Sequence, residues 1–510
     1  MRFFLKYKTE LIIGAILLAV YFFIRIFHLL SLPVFTDEAI YMRWAQIAKQ
    51  DAAERFISLS DGKQPLYVWV TMMLMRFIHD PLLAGRFVSV LSGAATAIGL
   101  FFLTNELFKN RKIALIASAI YVIFPFALVY DRMAMYDSMV ATFIVWGMYI
   151  EVLLVKKIRL DLSLIAALII GAGMLVKTNT FFNLYFLPLT AVLFDFKQKN
   201  IKKQFIRWVV YIGIAAILAN VYYSVLRLSP LFGMINQKNH TFIYSFSDWL
   251  KHPIEFFSGN LYGLLDWFFT YFGWIPAVLV VMSFFIFRKF WREKVLLLIW
   301  FIPPLLGLAV FGKVLYPRYL LPMVVSLLPL AALSLWYLFA RFQTVWARAL
   351  IVFIFSMLYL HADYYILTDF AHAPIPKPDL VQYVNSWPAG GGIKESVMFF
   401  QEQAQKGPIF IATQGTFGLM PFSLQLYLQD KPNITLQGFW PIDKTLPQEA
   451  IVASKKYPTY FVFYQPCPNC SGINNEEAPI DWRAEKVLQF KKGTGLDVLT
   501  VYRVIAPYEK

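Results

Sequence analysis

Along roughly the first 370 positions, apolar residues recur in runs about as long as a bilayer is thick, separated by short basic turns. Windows of roughly 20 apolar residues predict about eleven spans, near 11–30, 82–105, 113–130, 137–155, 162–177, 180–194, 207–226, 267–287, 295–311, 319–339 and 347–366. The pair 162–177 and 180–194 is short, divided only by Lys177-Thr178-Asn179. The first run is long and lacks a small-residue cleavage site, so it reads as a retained helix rather than a signal peptide.

Two connections are too long for simple turns. In the first, 31–81, Ile40, Trp44 and Ile47 share one helical face while Arg43, Gln46 and Lys49 lie opposite, the pattern of a helix lying in the membrane interface. Pro65 opens a further apolar segment, Leu66 to Ile78, too short to cross. The second, about 229–266, holds Asn236-Gln237-Lys238-Asn239-His240 and is a candidate lid. After Tyr365 the pattern changes. Strand candidates at Pro408 to Thr413, Ile434 to Gln437, Tyr460 to Tyr464 and Asp497 to Val504 alternate with helical stretches such as Phe417 to Leu428 and Pro447 to Lys456. Alternation of this kind predicts a small α/β domain. The expected division is 1–368 for the membrane part and 369–510 for that domain.

Composition agrees with the pattern. Of 510 residues, 59% are hydrophobic and only 15% charged, which excludes an ordinary soluble domain. A net charge of +16 invites a nucleic-acid reading, but its placement argues against one. Lys and Arg gather in the turns Lys109-Asn110-Arg111-Lys112, Lys156-Lys157-Ile158-Arg159, Lys197 to Arg207 and Arg288 to Lys294, which the positive-inside rule assigns to the cytoplasm. An odd span count then puts the C-terminal domain outside a multi-pass cell-membrane protein. Cys467 and Cys470 form a lone C-x-x-C without the second pair a structural zinc site needs, and an outer location slightly favours a local disulfide.

Polar features recur at the outer ends of the spans: Asp37-Glu38, Gly62-Lys63-Gln64-Pro65-Leu66, Asp131-Arg132 with Tyr136-Asp137-Ser138, Lys177, and Lys313 with Tyr316-Pro317-Arg318-Tyr319. Each has a plain structural alternative. Asp37 or Asp137 can cap a helix, Arg132 can pair with Asp131, Lys63 can be a solvated loop residue, and Lys177 or Lys313 can snorkel. Together they supply carboxylates to accept a proton and cations with tyrosines to hold a phosphate, all on one side of the membrane.

These residues carry a resemblance. The chain resembles membrane glycosyltransferases of the GT-C type, in the branch of protein O-mannosyltransferases and aminoarabinose transferases. Asp37-Glu38 followed by Tyr41 and Ala45 is similar to that family's first-loop acidic signature. Gly62 to Leu66 resembles its Lys-Pro-Pro-Leu element, with Gln64 replacing the first proline. Tyr136-Asp137-Ser138, Gly171 to Lys177 and Tyr316 to Pro322 resemble its second acidic position, its Gly-x-x-x-Leu-x-Lys turn and its Arg-Tyr-x-x-Pro element. The resemblance implies inverting transfer of a sugar from a polyprenyl-phosphate donor to a protein, glycolipid or cell-wall acceptor on the outer face. It casts Asp37 as base, Glu38 as its positioning neighbour and Asp137 as the group that orients the acceptor. It casts Lys63, Arg132, Lys177 and Arg318, with Tyr316 or Tyr319, as the holders of the departing phosphate. A divalent metal is the one cofactor it raises; His240 matches the family's later-loop ligand, but Gly62 stands where the partner acid belongs. The competing expectation is a transporter or flippase for a lipid-linked or anionic solute, which favours charges at mid-membrane and repeated halves.

Overall fold

A computed structural model describes residues 8–197, 199–442, 446–464 and 484–505. Cys467 and Cys470 lie outside the described residues.

The membrane part is helical. Among the described residues, seven helices are long and apolar enough to cross a membrane: Lys8–Ile26, Pro81–Phe108, Tyr136–Lys157, Ile201–Leu228, Arg288–Phe311, Pro317–Arg341 and Val345–Thr368. Two bent pairs raise the number to nine. Arg111–Val122 and Pro125–Asp131 meet at 60°, where Pro125 removes a backbone donor and restarts the helix; Phe257–Phe272 and Trp274–Ser283 meet at 96°. The other two expected spans correspond to Leu160–Met174, only 15 residues long, and to short helical pieces between Thr178 and Leu193. Local signals set the ends. Asp80 accepts from Leu83 N at 2.8 Å ahead of Pro81, and Asn110 accepts from Lys112 N at 2.9 Å to start the helix after a basic turn.

The helix Thr36–Gln50 is not the surface-lying element its pattern predicts. Positions 38–45 are all buried, because the helix is packed against Leu66–Leu74 on one side and Leu419–Leu428 on another. Gln46 Nε2 donates to Leu426 O at 3.0 Å, so even its polar face is taken.

Beyond Thr368 the described residues build a five-stranded sheet in the order β2-β1-β3-β5-β4, with β1 Ile409–Gln414, β2 Ile434–Phe439, β3 Thr459–Phe463, β4 Ala484–Lys491 and β5 Val498–Val504. β2, β1 and β3 are parallel, β5 runs antiparallel to β3, and the edge strand β4 runs antiparallel to β5. This α/β unit docks firmly on the helical part. Phe35 bridges to Ala389, Gly390 N donates to Val34 O at 2.8 Å, and Thr36 N donates to Pro388 O at 3.0 Å. Deeper in the joint, Tyr130 and Tyr271 each donate to Asp379 Oδ2 at 2.6 Å. Burial pushes the Asp379 carboxyl up to about 6, and the two phenols hold it from rising further.

Candidate functional site

Phe35 is the N-cap residue of the helix Thr36–Gln50, and Glu38 closes a capping box by accepting from Phe35 N at 2.9 Å. Glu38 also receives Arg86 through Nε at 2.9 Å and Nη2 at 2.8 Å, and the Ala134 amide at 2.6 Å. Both of its oxygens are engaged and the side chain is fully buried. Glu38 is therefore a brace between three segments with no free oxygen for a substrate, so a direct catalytic part does not fit it; what it does is hold the helix that presents Asp37. One residue turns a helix by about 100°, so the neighbouring Asp37 faces elsewhere; its side chain is 26% exposed and meets Arg318 Nη2 at 3.1 Å.

Arg318 is the hub of the cluster. It lies 4.7 Å from the centre of the Tyr316 ring and 6.0 Å from that of Tyr319, and among the described residues its Nη1 has only Met135 Sδ, at 3.7 Å. Guanidinium over aromatic faces stays fixed without spending its hydrogen bonds. Lys177 donates to Asp137 Oδ1 at 2.8 Å and stands 5.2 Å over the Tyr319 ring, which carries this second ion pair to the same place. Asp37, Asp137, Lys177, Tyr316, Arg318 and Tyr319 thus come together from four separate stretches of chain.

Lys63 completes the group from the loop before Leu66. Leu66 N donates to Leu175 O at 3.0 Å and Gln64 Nε2 to Thr178 Oγ1 at 3.0 Å, tying that loop to the segment that presents Lys177. Gly62 sits at φ +65°, and a Cβ there would fall 2.5 Å from both Lys238 Cβ and Met234 O. Its lack of a side chain lets the helix Met234–Phe242 lie on the loop and bring Lys238 to Asp61. The expected lid is therefore partly helical and pinned, on one side by Lys238–Asp61 and on the other by the bridge Ile243 to Gly312. Lys63 itself has no ion pair among the described residues and stands 5.1 Å over the Phe242 ring. Burial lowers its ammonium to about 8, with Asp37 pulling upward and Lys177 pushing down.

A pH dependence follows. Lys63 is charged below about 8 and loses its proton above, so the free protein should bind an anionic phosphate fully near neutrality and more weakly as pH rises through that value. Lys63→Arg, which keeps its charge throughout, should hold affinity to about pH 9. Calorimetric titration with polyprenyl phosphate at several pH values checks this; parallel curves for the two proteins would contradict it.

Arg132 is not part of the cluster. Its Nη1 donates to Ile24 O at 2.9 Å and Phe27 O at 2.6 Å, and its Nη2 to His28 O at 3.1 Å, so it closes the C-terminal end of the first helix. Nor does it pair with Asp131, which instead meets Arg25 at 3.4 Å in a sealed pocket with Tyr21, Tyr121 and Ser138. Lys313 is exposed and lies against the Tyr244 ring.

The comparisons with known proteins bear on this geometry. The family model described as dolichyl-phosphate-mannose-protein mannosyltransferase matches residues 62–223, a stretch that holds Lys63, Asp137 and Lys177. The undecaprenyl phosphate-alpha-4-amino-4-deoxy-L-arabinose arabinosyl transferase 2 of Proteus mirabilis is 25% identical over 346 residues, covering 63% of this chain and 59% of that protein. A transferase of the same description from Yersinia enterocolitica is 26% identical over 282 residues, covering 51% and 47%. The chain thus spans about half to three fifths of the length of the curated relatives it matches. In fold, the ArnT of Cupriavidus metallidurans, solved bound to undecaprenyl phosphate, aligns with a TM-score of 0.60 at 14% identity over 99% of this chain and 100% of that one. The Archaeoglobus fulgidus oligosaccharyltransferase aligns at 0.51 and 14%, over 88% and 67%. The fold is of the GT-C type. Sequence and fold alike resemble the membrane glycosyltransferases of that type.

Within this GT-C frame, sequence reasoning passed over three partners. Asp61 and Lys238 clamp the loop that carries Lys63, and Arg86 neutralises Glu38. Arg86 did leave a signal, since an arginine six positions into an apolar span needs a partner. The residues suggested for a metal do not fit one. His240 is exposed, Gly62 has no side chain, the Asp61 carboxylate is held by Lys238, and among the described residues no three His, Cys, Asp or Glu side chains converge.

Proposed function

We propose that the protein transfers a sugar, with inversion, from a polyprenyl-phosphate donor to an acceptor hydroxyl on the outer face of the membrane. The observation that carries this is Asp37, partly open to solvent and ion-paired to an arginine that still has Nη1 to offer, together with Lys63, which has no ion pair among the described residues. The acceptor O–H attacks the anomeric carbon as Asp37 takes its proton; the bond from that carbon to the phosphate oxygen breaks, and polyprenyl phosphate departs. The donor phosphodiester carries one negative charge and the departing monoester gains a second near neutral pH. Lys63, Arg318 and the Lys177 ammonium are the cations at hand to meet that gain, with the Tyr316 and Tyr319 hydroxyls as neutral donors. Asp137, held by Lys177, orients the acceptor. Relatives named for transfer from undecaprenyl phosphate support this reading over a transporter.

Residues 1–368 form the transferase part in this reading, and 369–510 an extracytoplasmic unit that faces the acceptor. Reporter fusions at Asn110, Lys199 and Lys510 are expected to read inside, inside and outside. A cytoplasmic reading at Lys510 would separate that unit from the acceptor side. The activity itself is tested by incubating the purified full chain with a panel of polyprenyl-phosphate sugars and following release of polyprenyl phosphate. Transfer from at least one donor is expected, and an inert protein across the panel would overturn the proposal.

A further inference from the structure

We propose that the trough between the basic ends of the helices Lys8–Ile26, Pro81–Phe108 and Arg111–Val122 binds one anionic phospholipid, an acyl chain lying in the trough and the headgroup phosphate resting on Arg111.

The helix Lys8–Ile26 is tied to the fold toward one end. Of its residues, Tyr21 and Arg25 are the buried ones. Tyr21 Oη donates to Val90 O at 2.9 Å and to Asp131 Oδ2 at 3.0 Å, and the Arg25 guanidinium donates to the carbonyls of Val122 and Tyr121. Toward the basic end, a trough of about 630 Å3 runs between this helix and the other two, walled by Leu11, Leu18, Phe101, Phe102 and Leu115. Small residues make the room: Gly14 and Ala15 line one wall and Ala97 the other, and a Cβ built on Gly14 would meet nothing within 4 Å.

Depth and charge select the occupant. The lining runs from Arg111 at the mouth to Val122 at the far end. That is a rise of about 16 Å along the helix they share, against about 15 Å for half of a bilayer's hydrocarbon core. At the floor Arg25 holds the Val122 and Tyr121 carbonyls, so the trough stops near mid-membrane. It therefore has the length of an acyl chain of one leaflet, which a polyprenyl chain overruns. Leu11, Ile98 and Phe102 are exposed along its open side, and in a membrane that side faces lipid tails.

The mouth is polar, with Glu10, Asn105 and Arg111. Arg111 Nη1 stands 3.9 Å from Glu10 Oε1 and both side chains are partly exposed, a loose pair worth little. A phosphate offers the guanidinium a shorter grip through two bonds. Lys109 and Lys112 belong to the same basic turn and add to its field, although Lys109 meets Glu106 and Lys112 lies 5.2 Å over the Trp336 ring. Basic pockets between spans suit anionic headgroups for this reason. A chain seated here packs the half of the first helix that the protein leaves loose.

The purified full chain in neutral detergent is titrated with dioleoyl phosphatidylglycerol or dioleoyl phosphatidylcholine. Bound lipid is counted by native mass spectrometry while melting is followed in parallel. One phosphatidylglycerol should be retained per chain and raise the melting temperature, with phosphatidylcholine about five-fold weaker. Arg111→Gln should level the two lipids. Glu10→Gln breaks the same ion pair but leaves Arg111 to the phosphate, so it should tighten phosphatidylglycerol; a merely structural pair makes the two changes act alike. Gly14→Phe should abolish retention by filling the trough. Phenylalanine is a better helix former than glycine, so the lipid-free melting temperature of this variant should not fall. Equal retention of both lipids by the wild type, unchanged retention in Gly14→Phe, or parallel effects of Arg111→Gln and Glu10→Gln would overturn the proposal. So would displacement of phosphatidylglycerol, one for one, by polyprenyl phosphate, which would give the trough to the donor lipid.

Discussion

Asp37→Asn is expected to lose transfer by about a hundred-fold or more while binding the donor as the wild type does. Asparagine keeps the size of the side chain and still accepts a hydrogen bond from Arg318, but it cannot take up the acceptor's proton. A capping role for Asp37 makes the opposite forecast, near-normal turnover, and the structure already weakens it. The N-cap position belongs to Phe35 and the capping box is closed by Glu38, so the first turn does not depend on Asp37. Turnover at saturating donor, with donor affinity measured separately on the same preparation, distinguishes the two. If Asp37→Asn turns over at close to the wild-type rate, the base has to be sought at Asp137, since Asp131 is sealed among Arg25, Tyr21, Tyr121 and Ser138.

Glu38→Ala should fail in a different way, through stability. It removes the carboxylate that Arg86 grips with two bonds and leaves a guanidinium buried at the outer end of a span. Breaking a buried pair from one side costs about 3–5 kcal/mol because the remaining charge has no compensation. Arg86 keeps its contacts to the carbonyls of Leu29, Leu32 and Pro33, so the local chain is expected to loosen rather than the whole fold to be lost. The change also frees the Phe35 and Ala134 amides that Glu38 satisfies. Thermal melting in detergent should fall clearly for Glu38→Ala and hardly at all for Asp37→Asn. Equal melting of the two variants would remove the distinction between brace and base on which the site rests.

Much of this was legible in the chain. Apolar runs of bilayer length are conspicuous because lipid admits only backbones that satisfy themselves, so the spans that match are those with an unbroken run. The two that fall short do so for local reasons, one being 15 residues long and the other split into brief pieces around Pro188. The site's polar residues could be read for the related reason that charges at span ends are costly and therefore few. Partner choice could not be read, because it is a tertiary property. Glu38 belongs to Arg86, 48 positions away, and Arg132 to the end of the first helix, more than 100 positions away. β4 also escaped notice. It is an edge strand of mostly exposed polar residues, Ala484–Lys491, whose alternation is weak and whose charges protect the edge.

The most direct test of the central claim is the anomeric configuration of the product. The purified chain is given a polyprenyl-phosphate sugar of known configuration with an acceptor, and the product is read by NMR before it can equilibrate. One carboxylate acting as base on the acceptor, with phosphate leaving from the opposite face, predicts a product wholly inverted at the anomeric carbon. A product that retains the donor's configuration would contradict the account, because retention requires either two successive displacements or attack from the same face as the departing phosphate, and neither is the single opposite-face displacement assigned to Asp37.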